Sequence, residues 1–108
     1  MTETDPNRTT FHVVAVESLL RLPKQVQKQA LKKVRDVVDV APTSAGYPLK
    51  RELHGFRGIH AGRYRIIWRI LALESGEEIA EICYVGMRTE GNREDAYSEF
   101  VRIFEIPG

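Results

Sequence analysis

The stretch Tyr64-Arg-Ile-Ile-Trp-Arg-Ile-Leu-Ala-Leu73 contains neither glycine nor proline and is dominated by β-branched, aromatic and other apolar side chains. That composition predicts a strand. Alternation gives it two faces. Tyr64, Ile66, Trp68 and Ile70 form an apolar face suited to packing on helices, while Arg65, Ile67 and Arg69 point the other way. Before it, Gly62-Arg63 makes a tight hairpin turn to a short strand, Arg57–Ala61. After it, Glu74-Ser-Gly-Glu77 turns the chain into a further strand, Glu78–Met87. The second half of the chain therefore reads as an antiparallel meander.

Further upstream the period changes. Val26, Ala30, Val34, Val37 and Ala41 recur at three- and four-residue spacing, with Lys24, Lys28, Lys32, Arg35 and Asp39 mainly between them. This is an amphipathic helix that Pro23 starts and Pro42 stops. Thr9–Val16 reads as a first strand and Glu17–Leu22 as a short helix. Glu94–Phe104 sets Tyr97, Phe100, Val101 and Phe104 at helical spacing and predicts a last helix. The order β-α-α-β-β-β-α predicts an α+β fold: a small antiparallel sheet, an N-terminal helical hairpin packed on one face, and a C-terminal helix.

A chain of 108 residues has room for one core, so a single domain over 1–108 is expected, with 1–8 as a flexible N-terminus. The 43% hydrophobic and 29% charged fractions exclude an intrinsically disordered chain. No apolar run is long enough to span a bilayer. The polar start, Met1-Thr-Glu-Thr-Asp-Pro-Asn, shows no secretory signal, and a cytoplasmic protein is the simplest expectation. The lone cysteine, Cys83, excludes an internal disulfide and a cysteine-rich zinc site.

The net charge of +1 hides an uneven distribution. Between residues 50 and 69, Lys50, Arg51, Arg57, Arg63, Arg65 and Arg69 face Glu52 alone. Residues 70–108 are correspondingly acidic. A basic block in a nearly neutral chain is either a phosphate footprint or a solvated strand surface.

His12, His54 and His60 are scattered, and no His/Cys/Asp group has the spacing of metal ligands. Phosphate-binding glycine loops and serine nucleophile elbows are absent. Cys83, at an alternating strand position, reads as a small buried side chain rather than a nucleophile. Arginine inside strands is what remains. Arg65 lies in an otherwise apolar strand and Arg88 closes the next one. Two guanidiniums converging on one side of the sheet would suit a phosphodiester, because the planar fork binds phosphate oxygens bidentately and stays charged. Tyr97 would add a phenol if the last helix folds back. The competing reading makes Arg65 a structural ion-pair partner for a glutamate such as Glu81.

Gly62, Tyr64–Ile67 (Gly-x-Tyr-Arg-Ile-Ile), then Val85-Gly-Met-Arg88 followed by Tyr97, resemble the RelE/ParE superfamily of toxins from bacterial type II toxin–antitoxin systems. The resemblance runs over nearly the whole chain. It implies a RelE-like fold and an endoribonuclease that cuts messenger RNA on the ribosome and needs no metal or cofactor. It assigns Arg65, Arg88 and Tyr97 to catalysis, with Lys50, Arg51, Arg57, His60, Arg63 and Arg93 as RNA-binding candidates. The implied partners are a cognate antitoxin, forming a hetero-oligomer with the toxin, together with mRNA and the ribosome, and no membrane. Leu19, Leu20, Leu22 and the helix from Pro23 are candidate antitoxin contacts. Gly58 and His60 stand where the family commonly has basic residues, and the stretch from Arg88 to Tyr97 is longer than is typical. Two alternatives follow from these departures: a ParE-like toxin that poisons DNA gyrase, or an inactive antitoxin-binding module.

Overall fold

The computed structural model describes residues 9–87 and 96–104. The expected flexible N-terminus 1–8, Arg88 and Arg93 therefore lie outside the described residues. The elements are β1 (Thr10–Phe11), α1 (Val13–Leu20), α2 (Lys24–Lys33) running on through a π-helical turn (Val34–Val38), β2 (Tyr47–Pro48), a 3₁₀ turn (Arg51–Leu53), β3 (Phe56–Ala61), β4 (Tyr64–Ala72), β5 (Glu78–Met87) and α3 (Ala96–Ile103). The sheet order is β1-β5-β4-β3-β2, antiparallel except for the β1–β5 pair. This is the α+β fold that the sequence predicts.

The start of the chain departs from expectation. The first strand is only Thr10–Phe11, and Val13–Val16 belongs to α1. The β-branched residues there favour a strand locally, but tertiary packing overrides that preference. His12 caps the helix: its Nδ1 accepts the Val14 N–H at 3.1 Å. Ala15, Ser18 and Leu19 then form a buried stripe against the sheet, while Val13, Val16 and Leu20 face outward.

Two cores lie on opposite faces of the sheet. The helical hairpin covers one, where Ala15, Leu19, Ala30, Val34 and Val38 pack on Ile66, Trp68, Ile82 and Val85. Trp68 is fully buried and its indole N–H donates to the Pro42 carbonyl at 3.0 Å. On the other face α3 covers Ile67, Cys83 and Tyr84 through Phe100, with Leu49 and Leu53 completing the cluster. Phe100 meets Phe56 edge-on at 5.2 Å and Phe104 at 4.8 Å between ring centroids.

A β-bulge joins these cores. Ile67 pairs with Tyr84 and Trp68 with Ile82, so Cys83 is an extra residue in β5. Cys83 and Tyr84 consequently both belong to the α3-side core, and alternation resumes one residue out of phase. Beyond the bulge the Val85 N–H donates to Ser18 Oγ at 3.1 Å, and that hydroxyl donates to the Ala15 carbonyl at 3.0 Å. The serine thereby ties α1 to the displaced half of β5 and satisfies a buried donor.

Candidate active site

The turn Gly62-Arg63 sets the register of the central hairpin. Ala61 pairs with Tyr64, so His60 lies opposite Arg65, and Arg65 lies opposite Gly86 on the next strand. The row His60–Arg65–Gly86 thus crosses three strands on the α3 side of the sheet. The neighbouring row on that face is Tyr47–Gly58–Ile67–Tyr84. Tyr47 and Tyr84 flank it, each bent towards the arginine row. The Tyr47 ring meets the His60 ring edge-on at 5.7 Å, and the Tyr84 ring lies over Gly86. Arg65 is half-buried between them, and His60 is exposed.

The face carries cationic and aromatic groups without an intervening carboxylate in either row. A half-buried guanidinium in such surroundings binds an anion more strongly than one in open water, because the local dielectric is lower. The edge of this face opens into a groove of about 610 Å³ lined by Tyr47, Leu49, Lys50, Arg51, Leu53 and Val101 among others. Lys50 and Arg51 are exposed along it. Arg51 has a left-handed backbone, φ 59°, which is uncommon for a side chain of its size. The 3₁₀ turn that it begins sends Leu53 into the core.

Arg63 is exposed in the β3–β4 turn. Arg57 pairs with Trp68 and so lies on the hairpin side of the sheet, where its Nε donates to the Ala45 carbonyl at 2.9 Å. That bond holds the loop before β2, so the structure does not bring Arg57 together with Arg65. Tyr97 falls in α3, one turn before Phe100. Glu81 pairs with Arg69 at 2.6 Å rather than with Arg65, in direct register across β4 and β5. Arg69 also lies 5.4 Å from the Phe104 ring centroid and anchors the end of α3. Cys83 is buried, and burial pushes its thiol up to about 12, which leaves it protonated at neutral pH.

That Tyr47 and Tyr84 stand beside the Arg65 row was not legible in the sequence. Tyr47 sits in a loop-like stretch before Pro48, which carries no positional signal. For Arg57 a signal existed: a two-residue turn at Gly62-Arg63 pairs Arg57 with Trp68 by counting alone.

No protein-family model matches the sequence, and no curated protein matches it. Among solved structures, the chain is similar to the crystal structure of the toxin–antitoxin complex RelBE2 from Mycobacterium tuberculosis. The TM-score is 0.64 at 26% identity, over 74% of this chain and 88% of that chain. The α+β fold, with its helical hairpin on one face of the sheet and the Gly-x-Tyr-Arg-Ile-Ile strand at the sheet's centre, is thus similar to that of a RelE-like toxin.

Proposed function

We propose that the protein is the toxin of a type II toxin–antitoxin pair, an endoribonuclease that cleaves mRNA on the ribosome. The observation that carries this reading is Arg65, half-buried on a sheet face between His60, Tyr47 and Tyr84 in a RelE-like fold. In the proposed reaction the ribose 2′-oxygen attacks the adjacent phosphorus and the P–O5′ bond breaks. The products are a 2′,3′-cyclic phosphate and a 5′-hydroxyl. The 2′-hydroxyl proton passes to a base and the leaving 5′-oxygen takes up a proton. Arg65, with Arg88, neutralises charge that builds on the phosphoryl oxygens. His60, across the hairpin from Arg65, is the nearest general base. Tyr97 orients a base of the RNA or assists proton transfer, and Lys50, Arg51, Arg63 and Arg93 hold the RNA backbone. This chemistry calls for no metal or cofactor.

The partner is an antitoxin, as in the complex that the fold resembles. Leu19 is committed to the core and Leu22 packs against it, so Leu20, with Val13 and Val16, is the apolar surface of α1 left for contact. Controlled expression of the protein alone is expected to arrest growth, and co-expression of its antitoxin to restore it. Full growth at verified soluble expression would contradict the toxin reading. Stabilised gyrase–DNA cleavage complexes with intact messages would instead mark a ParE-like activity.

A further inference from the structure

We infer that Tyr84 is a positioning residue of the Arg65 site and that Gly86 is glycine in order to admit it. This rests on the ribonuclease reading above. Strict alternation along β5 would place Tyr84 on the side of Ala80 and Ile82, under the helical hairpin. The bulge at Cys83 reverses it onto the α3 face. There the ring does not simply fill the core beside Phe100, whose centroid is 5.9 Å away. It folds along its own strand over Gly86, the register partner of Arg65. A Cβ on residue 86 would run into the Tyr84 ring edge at Cε2 and lie 2.9 Å from Cζ, closer than real side chains approach, with the hydroxyl oxygen at a tight 3.0 Å. The hydroxyl end of the ring therefore occupies the position laterally next to Arg65, which any larger residue at 86 would deny it.

Three local features, the bulge, the glycine and the tyrosine, have one joint consequence: a phenol beside the guanidinium. Packing alone would be served by phenylalanine, whereas a buried phenol needs a polar neighbour. Tyr84 is only 7% exposed, so it acts on substrate through Arg65 and not by direct contact. Its contribution is to restrict the directions in which the guanidinium can point, and small errors of placement are costly in phosphoryl chemistry.

The test compares wild type, Tyr84→Phe, Gly86→Ala and the double variant in cleavage of a translated message, with thermal unfolding measured beside it. Tyr84→Phe is expected to lower kcat about tenfold with KM and melting temperature nearly unchanged. Gly86→Ala, which must push the ring aside, should lower kcat at least as much. The double variant should be little worse than the worse single one, since both changes remove the same placement. Variants that cleave like wild type per folded molecule, or effects that multiply and follow the melting temperature, would overturn the inference and leave the ribonuclease reading intact. Absence of cleavage by the wild-type protein would overturn both.

Discussion

Arg65→Ala is expected to lower RNA cleavage by about 10²–10³-fold while the variant folds and still binds antitoxin. The side chain extends from the middle of the sheet and is half-buried on the α3 face. Charge placed there acts on a phosphate through a medium less screening than water, which is why its loss costs so much. Glu81, the carboxylate that the competing reading pairs with Arg65, bonds to Arg69. Arg65→Lys should recover only part of the rate, because an ammonium cannot reproduce the bidentate fork. Single-turnover cleavage measured beside thermal unfolding checks both variants. A destabilised Arg65→Ala protein that cleaves normally per folded molecule would remove Arg65 from the site.

Trp68→Ala is expected to have the largest effect on stability, about 3–5 kcal/mol. The indole is fully buried between the hairpin helices and the sheet, and its N–H holds the Pro42 carbonyl. Removing it leaves a cavity at the centre of the main core and an acceptor without its donor. Trp68→Phe should cost less, since much of the volume stays and the lost hydrogen bond dominates. Denaturant unfolding of the two variants measures the difference. Equal midpoints for wild type and Trp68→Ala would contradict the packing described for this face.

The central strand was the most legible part of the chain, because alternation and the flanking turns agree on where β4 begins and which side each residue takes. The apolar row Ile66 and Trp68 sits under the hairpin helices as the pattern demands. Val13–Val16 misled because local β preference and helical packing disagree there, and only the stripe Ala15, Ser18 and Leu19 decides the matter. The bulge at Cys83 has no sequence marker of its own, so the side taken by Tyr84 could be known only from the register. The site divides in the same manner. Arg65 stood out as a charge inside an apolar strand, whereas Tyr47 and Tyr84 join it through folding alone.

The most direct test of Arg65-dependent mRNA cleavage is the mapping of RNA ends after brief expression of wild type and of Arg65→Ala. Translated messages are expected to acquire cuts within codons in the wild type, with cyclic phosphate upstream and 5′-hydroxyl downstream, and to lose these cuts in Arg65→Ala. Intact messages in wild-type cells that have stopped growing, or the same cuts persisting in Arg65→Ala, would contradict Arg65-dependent cleavage.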